Sequence, residues 1–341
     1  FVAYKLPTGV PNANDGKNFV YADSVNPAWQ LSQKSILEQS SAIGATVSDA
    51  YRNDPNAFLL MYSDDGPATS ADSYRGHAKG VVLFNGNSGY WMVHSVPNFP
   101  PLSNYSYPTT GLRFAQSFLC VSVSTESLPS IGEHLMYIQA TPFKSQLPER
   151  FGNKFPILRT VIGKKSLTSS ATKFTTKSTF HALDGTEFYA YAKHKKYQAD
   201  LWHNLIAYDM GISLGVQSWL NGGADDLHSV CTADAVNVFD ITELNVLGSA
   251  FSSSKDHSKW AVSDAKRRPV VCVGDLNRQK SQLSRGGGAL CIEHVGLWTT
   301  YRATVKDVEA CMAPWARASP GAFEIHNLTV YLLVVVLLAY M

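Results

Sequence analysis

His77-Ala-Lys79 in the first half of the chain and His257-Ser-Lys259 in the second half are two copies of one short motif. At the same spacing after each copy stands an apolar run, YWMV at residues 90–93 and VVCV at residues 270–273. Short apolar runs of this kind are typical of buried strands. A motif that recurs together with its following strand predicts two similar halves, with the motifs facing each other at a pseudo-twofold axis.

A third copy, His194-Lys-Lys196, has no matching run behind it and lies in a cluster of lysines. A lone His-x-Lys is most often a surface pair, so we interpret this copy as a solvated face. Only the two copies with matching surroundings are candidates for one shared site.

Aromatic and β-branched runs bounded by turn residues predict strands at residues 57–61, 80–84, 89–93, 118–123, 135–138, 188–192, 270–273 and 289–292. Longer segments predict helices at residues 30–51, 199–210 and 296–311. The polar stretch 164–178 lies where the two halves join. We therefore predict an α+β (mixed α/β) fold with a first lobe at residues 1–165, a second at 166–325 and an apolar tail at 326–341.

The composition fits a large buried core. Hydrophobic residues make up 45% of the 341 residues and charged residues only 16%, below the roughly 25% that is usual in soluble domains. The net charge is +2, and no long basic block is present. Any contact with a polyanion must therefore come from a local patch of charge.

The cysteines and sequons favour an oxidising compartment of the secretory pathway. Two sequons, at Asn104 and Asn327, permit N-glycosylation. No CxxC pair is present, which argues against a zinc ribbon or a thioredoxin-type site. The five cysteines are Cys120, Cys231, Cys272, Cys291 and Cys311.

The two ends of the chain differ in character from the rest of the sequence. The sequence begins inside a strand-like run at Phe1, and we expect further residues upstream. Residues 328–341 are almost wholly apolar but shorter than the roughly 20 residues that span a bilayer. The small residues Ser319, Gly321 and Ala322 precede this run, as in a lipid-anchor signal. A disordered tail is the alternative, so membrane association through the tail stays open.

A His-x-Lys motif on an extended segment places an imidazole and an ammonium on one face, because side chains alternate along a strand. Imidazole can attack phosphorus or transfer a proton near neutral pH. Ammonium stabilises negative charge on phosphoryl oxygens. Two copies can divide these roles, so His77, Lys79, His257 and Lys259 are the candidate catalytic residues, and we expect no metal or other cofactor.

Four further residues are candidates for substrate contacts. Asn98 and Asn277 each end the polar turn after an apolar run and can donate hydrogen bonds to phosphate oxygens. His94 either touches the substrate or orients a neighbouring side chain. Arg285, followed by three glycines, either brings backbone amides to a phosphate or belongs to an ordinary glycine-rich turn.

The paired motifs resemble the signature of the phospholipase D superfamily, in which aspartate follows His-x-Lys after four residues and a Gly-Ser-x-Asn-like turn comes later. The second copy fits, with Asp264 at the aspartate position and the turn GDLN at residues 274–277. The first copy departs from it, because Phe84 occupies the aspartate position. The resemblance implies two phospholipase D-like lobes with the active site at their junction.

Longer strings, in the same order along most of the chain, resemble the deoxyribonuclease II family. They are YKLP at 4–7, GHAKG at 76–80, VHSVPNFPP at 93–101, DHSKW at 256–260, CVGDLNR at 272–278 and RGGGALC at 285–291. The resemblance implies a metal-independent acid endonuclease that acts on double-stranded DNA and leaves 3′-phosphate and 5′-hydroxyl ends. It also implies a lysosomal or secreted protein that clamps DNA between its lobes, and it is compatible with a homodimer.

By analogy with the superfamily, His77 is the nucleophile that forms a phosphohistidine, and His257 is the general acid. These roles require different protonation states of the two rings. We therefore expect Lys79 to lower the pKa of His77, and Asp256 or Asp264, if close to His257, to raise the pKa of that histidine.

The family resemblance also implies disulfide bonds between Cys231 and Cys311 and between Cys272 and Cys291, and it places the partner of Cys120 upstream of Phe1. Two other functions stay open: a secreted protein that binds without catalysis, and a lipid phosphodiesterase. The four intact motif residues favour an enzyme over a binder, and the strings quoted above favour a nuclease.

Overall fold

The computed structural model describes residues 1–311, apart from residues 68, 221–224 and 233–235. The sequon at Asn327, the small residues from Ser319 to Ala322 and the tail at residues 326–341 lie outside the described residues. Two large sheets with few helices form a mixed α+β fold, as predicted.

The first sheet is built from the N-terminal half of the chain, in the order β3-β2-β1-β7-β6-β5-β4-β8. Its strands are β1 (Val2–Lys5), β2 (Phe19–Ala22), β3 (Gln30–Leu31), β4 (Phe58–Ser63), β5 (Lys79–Asn85), β6 (Ser88–His94), β7 (Gln116–Ser124) and β8 (Pro142–Gln146).

The second sheet is built from the C-terminal half, in the order β13-β12-β11-β14-β15-β16-β10-β9, with β17 paired to β12. Its strands are β9 (Thr175–His181), β10 (Glu187–Lys193), β11 (Leu214–Gln217), β12 (Val238–Val246), β13 (Ser249–Ser252), β14 (Trp260–Ser263), β15 (Val270–Gly274), β16 (Gly287–Glu293) and β17 (Val305–Val308).

The helices are short and lie in the connections. They are α1 (Ala42–Ser48), α2 (Leu128–Tyr137), α3 (Glu149–Lys154), α4 (Ile157–Ile162), a π-helix (Leu201–Ala207) that continues into α5 (Tyr208–Met210), α6 (Lys280–Leu283) and α7 (Val295–Thr304).

Alternation along the central strands separates the two faces of the first sheet. Val82 and Trp91 face inward and share one buried core with residues of the second sheet such as Val262. Val81 and Met92 face outward and pack with α1. The π-helix covers the outer face of the second sheet in the same way. Each sheet therefore has two buried faces, which explains the continuous apolar runs in the sequence.

The strands that carry the two motifs occupy matching places in the two sheets. In the first sheet, β4, β5, β6 and β7 form an antiparallel series, with Lys79 at the start of β5. In the second, β11, β14, β15 and β16 form a corresponding antiparallel series, with Lys259 directly before β14. The repeat seen in the sequence is thus a repeat of strand order.

Most predicted strands are confirmed, and one is wrong. Residues 135–137 form the end of α2 and Ile138 is its C-cap; Leu128, Ile131 and Leu135 are buried on one face of this helix at helical spacing. A four-residue apolar run is too short to distinguish a strand from the end of a buried helix.

The predicted helices are only partly correct. Residues 30–51 form a helix only from Ala42, because Ser32 and Ser35 upstream use their side chains to bond nearby backbone N–H groups. Residues 296–311 leave the helix after Thr304 and continue as β17, whose valines suit a strand. The helix predicted at 199–210 is present, mostly in π form. The polar stretch 164–178 is irregular up to residue 174, and β9 begins at Thr175.

The structure contains both predicted disulfide bonds. Cys272 and Cys291 face each other on the neighbouring strands β15 and β16, and Cys231 is joined to Cys311. Cys120 is buried and not disulfide-bonded. Disulfide bonds of this kind form in oxidising compartments, so the chain folds in the secretory pathway. Within the described part of the chain, no helix has the length and apolar character needed to cross a bilayer.

Candidate active site

His77 lies just before β5 and is held by the second half of the chain. Its backbone N–H donates to the carbonyl of Gly286 at 2.9 Å. Its Nδ1 lies 2.7 Å from Oε1 of Gln282. An amide oxygen can only accept, so Nδ1 carries the proton and Nε2 keeps its lone pair. Nε2 is therefore the atom of His77 that can act as a nucleophile.

Three basic side chains surround Asp64, which directly follows β4. Its carboxylate lies 2.5 Å from Nζ of Lys79, 3.1 Å from Nη2 of Arg285 and 4.0 Å from Nε2 of His77. Burial opposes ionisation of Asp64, but the positive groups outweigh burial and hold its pKa well below the usual range. Asp64 is thus a fixed anion that orients Lys79 and Arg285.

His257 is enclosed by aromatic rings. Its ring lies almost parallel to that of Phe114, with centroids 4.3 Å apart, and 4.0 Å from the ring of Trp219. Its backbone N–H donates to the carbonyl of Ala115 at 3.0 Å. Nε2 is buried and finds no hydrogen-bond partner within the described residues. An unpaired buried nitrogen of this kind is a candidate for proton transfer.

Lys259 brings a second ammonium into the same region and is only 4% exposed. Burial and the charge of Lys79 lower the pKa of Lys259 to about 7, although Asp64 and Asp275 act in the other direction. Asp275 directly follows β15 and is itself buried, which raises its pKa to about 7. The ammonium groups of the two halves therefore act on each other, although the motifs are far apart in the chain.

Both histidines are neutral in the free protein. Burial is the main cause that lowers the pKa of His77 to about 3, and Lys79 adds to this effect as expected. Burial and the charge of Lys259 lower the pKa of His257 to about 3. Each motif lysine acts on the histidine of the other half as well as on its own.

The expectation that Asp256 or Asp264 raises the pKa of His257 is wrong. The carboxylate of Asp256 accepts hydrogen bonds from the hydroxyl of Tyr4 and, at 2.8 Å, from the backbone N–H of Ser258. Asp264 lies beyond the end of β14 that is farther from His257. Adjacent residues on an extended chain point to opposite faces, so the position of Asp256 next to His257 does not bring their side chains together.

The two candidate asparagines are both engaged with the protein. The side chain of Asn98 bonds Oδ1 of Asp65 at 3.0 Å, and Asp65 follows Asp64 in the chain. Asn277 is buried, and its Oδ1 lies 3.4 Å from the backbone N–H of Trp219. Each asparagine is thus tied to a segment that lines the site.

His94 and Arg285 have different surroundings. His94 is buried against Phe99 and Phe118, and its Nδ1 accepts the backbone N–H of Val96. Arg285 donates to Asp64 and to backbone carbonyls of residues 72–76, so it joins the two halves beside His77. Neither of the two earlier interpretations of Arg285 foresaw this contact.

The third His-x-Lys copy is not simply a solvated face, as the sequence suggested. His194 is buried, its Nδ1 accepts the backbone N–H of Lys196, and its Nε2 lies 2.8 Å from the hydroxyl of Ser166. The ammonium of Lys195 lies 3.1 Å from the ring centroid of Tyr74. Only the two lysines of this copy reach the surface.

The sequence did not reveal five residues that shape the site: Asp64, Phe114, Trp219, Asp275 and Gln282. Asp64 and Asp275 each directly follow a buried strand next to a motif, and that placement could have identified them. The other three lie in connections without a periodic pattern. Asn104, the sequon within the described residues, is exposed and accessible to a glycan.

The arrangement offers a neutral nitrogen nucleophile, a second imidazole for proton transfer and a group of cations that can hold a phosphodiester. Among residues 1–311, with the gaps stated above, no three His, Cys, Asp or Glu side chains form a group that could hold a metal ion.

Comparisons with known proteins identify the family. The sequence profile described as deoxyribonuclease II matches residues 1–311. Cell-death-related nuclease 7 of Caenorhabditis elegans is 49% identical over 91% of this chain and 84% of its own length. Plancitoxin-1 of Acanthaster planci is 34% identical over 91% and 89%, and deoxyribonuclease-2-alpha of Sus scrofa is 34% identical over 91% and 87%. Matches of this extent show that the chain belongs to the deoxyribonuclease II family of nucleases.

Proposed function

We propose that this nuclease is a metal-independent acid endonuclease that cleaves double-stranded DNA through a phosphohistidine on His77. The observation that carries the proposal is the meeting of the two motifs through crossed contacts: Gln282 and Gly286 of the second half bond His77, and the carbonyl of Ala115 in the first half accepts the backbone N–H of His257. A phosphodiester placed between them would meet a nucleophile, a proton donor and two ammonium groups at once.

In the first step, Nε2 of His77 attacks phosphorus, and the bond from phosphorus to the 5′-oxygen breaks. His257 gives its proton to that oxygen, which leaves as a 5′-hydroxyl. Lys79 and Lys259 offset the added charge on the non-bridging oxygens.

In the second step, water attacks the phosphoryl group on His77, and His257 takes a proton from that water. The phosphorus–nitrogen bond breaks, and DNA with a 3′-phosphate is released. Asn98, Asn277, His94 and Arg285 are proposed to support the bound strand.

The acid optimum follows from the electrostatics of the free site. His257 has to bind a proton before it can act as an acid, and its pKa of about 3 in the free protein makes that unfavourable near neutral pH. A phosphate anion bound beside the lysines removes part of their repulsion and raises the pKa of His257. Activity should therefore rise as the pH falls below neutral.

The proposal includes two phospholipase D-like lobes around a pseudo-twofold axis, with duplex DNA between them. The matching antiparallel series in the two sheets supports this arrangement. We further propose a lysosomal or secreted location, where an acid optimum and disulfide bonds are both useful, and a homodimer as the assembly.

The deciding experiment is cleavage of plasmid DNA at pH 5 in excess chelator, followed by analysis of the end groups. Wild type should leave 3′-phosphates, and His77→Ala and His257→Ala should each lose a factor on the order of a thousand. His203→Ala, on the outer π-helix, is the matched control. The phosphoryl adduct should be found by mass spectrometry on the peptide that contains His77. Dependence on magnesium, or full activity of His77→Ala, would contradict the mechanism.

A parallel assay on phosphatidylcholine vesicles tests the alternative substrate class. Cleavage of the lipid headgroup at a rate comparable to that of DNA would favour a lipid phosphodiesterase.

A further inference from the structure

Two buried lysines outside the motifs occupy corresponding places in the two halves. Lys5 is the last residue of β1, which pairs with β7, and Lys193 is the last residue of β10, which pairs with β16. Both are fully buried. Neither has a carboxylate within bonding distance among the described residues. Within the described part of the chain, their ammonium groups bond backbone carbonyls alone, which is an unusual use of a buried charge.

Lys193 holds the segment that precedes β16. Its Nζ donates to the carbonyls of Leu283 at 2.9 Å and Arg285 at 2.7 Å, and it lies 3.4 Å from that of Gln282. These carbonyls come at the end of α6 and just after it, where the short helix leaves acceptors unpaired. The same segment makes three contacts around His77, through the Gln282 side chain, the Arg285 guanidinium and the Gly286 carbonyl.

Lys5 holds the corresponding segment before β7. Its Nζ donates to the carbonyl of Leu112 at 2.5 Å. Two and three residues further on, the ring of Phe114 stacks on His257 and the carbonyl of Ala115 accepts its backbone N–H. In both halves, therefore, a buried lysine fixes a segment of its own half that contacts the histidine of the other half.

We propose that Lys193 and Lys5 are positioning residues for the nuclease reaction: Lys193 sets the orientation of His77 through Gln282, and Lys5 sets that of His257 through Phe114. Neither lysine touches the reacting atoms. Burial lowers the pKa of Lys5 to about 7 and that of Lys193 to about 8, so both lysines are charged at the acid pH of the proposed reaction. The inference rests on the proposed roles of the two histidines.

The two lysines can be tested separately. His257, which Lys5 is proposed to position, protonates the leaving group, whereas His77, which Lys193 is proposed to position, attacks phosphorus. Thymidine 3′-(4-nitrophenyl phosphate) releases nitrophenolate, a leaving group that needs no proton from His257. We expect Lys193→Met to slow the first bond cleavage, measured as the initial release of the leaving group, by about tenfold to a hundredfold on both DNA and this ester, because attack by His77 is impaired in each case. Lys5→Met should slow the first bond cleavage on DNA by a similar factor. It should change the initial release of nitrophenolate from the ester less than threefold, because only the later hydrolysis of the phosphohistidine needs His257 on that substrate. KM should stay within about twofold in both variants.

Gln282 and Phe114 are only partly buried, so substitutions there can test the same contacts if a lysine variant does not fold. Gln282→Ala should reproduce the pattern of Lys193→Met, and Phe114→Ala that of Lys5→Met. Where Lys193→Met folds, its combination with Gln282→Ala should lose little more than either single change, since both act through one contact. The exposed Lys266→Met is the control and should behave as wild type.

The outcomes separate this inference from the proposed function. Equal losses on both substrates in Lys5→Met and Phe114→Ala, or additive losses for Lys193 and Gln282, would overturn the positioning roles while leaving the mechanism intact. Full activity of His77→Ala or His257→Ala would remove the mechanism itself.

Discussion

Lys259→Met should abolish DNA cleavage and at the same time stabilise the protein at acid and neutral pH. In the folded protein the ammonium is buried beside Lys79, and its pKa falls from 10.5 to about 7. That change corresponds to about 5 kcal/mol of unfavourable free energy in the charged folded state, at 1.36 kcal/mol per tenfold change. Methionine has a similar length and carries no charge, so it removes this repulsion.

The measured increase in the free energy of unfolding should be smaller than this value. In the variant, Asp275 loses a neighbouring cation, and in wild type the lysine side chain can shift to reduce the repulsion. We expect an increase of about 2 kcal/mol in the free energy of unfolding at pH 6. The unfolded chain binds more protons than the folded chain between pH 7 and 10.5, so wild type gains stability as the pH rises through this range. The difference between variant and wild type should therefore shrink toward pH 10.5.

The assay is urea unfolding at pH 6 and pH 10, with plasmid cleavage at pH 5 on the same preparations. Lys266→Met, at an exposed position, is the control and should change neither quantity. A variant that is less stable than wild type at pH 6, or a stability difference that does not depend on pH, would refute the electrostatic reasoning.

Three further predictions concern the scaffold. Arg278→Met should lower the free energy of unfolding, measured in urea, by about 3–5 kcal/mol, because it leaves the buried carboxylates of Asp200 and Asp240 without their ion-pair partner. A decrease below about 1 kcal/mol would contradict this. Burial lowers the pKa of His134 to about 3, so between pH 3 and pH 6.5 the ring takes up its proton only on unfolding, and the free energy of unfolding rises with pH. His134→Phe should therefore reduce this slope by up to about 1.36 kcal/mol per pH unit. An unchanged slope would show that His134 does not cause the pH dependence. Cys272→Ser removes a disulfide bond between residues 19 apart in sequence, and the free energy of unfolding should fall by about 3 kcal/mol. Equal melting temperatures of variant and wild type would disprove this.

The repeat could be found in the sequence because a strand leaves a local signature. Residues 90–93 and 270–273 are apolar without interruption, since both faces of each sheet are covered, and the motifs precede them at equal spacing. The disulfide pairs were available from the family resemblance. The segment before Ala42 was misinterpreted because serine side chains compete with the backbone for hydrogen bonds, and that competition leaves no periodic pattern.

The surroundings of the two histidines could not be predicted, and the reason is physical. A motif defines which side chains leave a strand on the same face, but it says nothing about which distant segment packs against that face. Gln282 contacts His77 across the junction of the halves, and Phe114 contacts His257 across it in the other direction. Local sequence therefore identified the candidate reactive groups, whereas their protonation and orientation depend on contacts between the halves.

These crossed contacts have a consequence for how the site is assembled. A half of the chain that folded alone would present its motif without the residues that fix the histidine, because those residues belong to the other half. Burial is the main cause that lowers the pKa of both imidazoles, and the lysine of the opposite half adds to the effect of the lysine of the same half, so the ionisation of each histidine also depends on the contact between the halves. Loosening the contact between the halves should then reduce activity before it unfolds either sheet, since the histidines respond to displacements far smaller than those that expose a core.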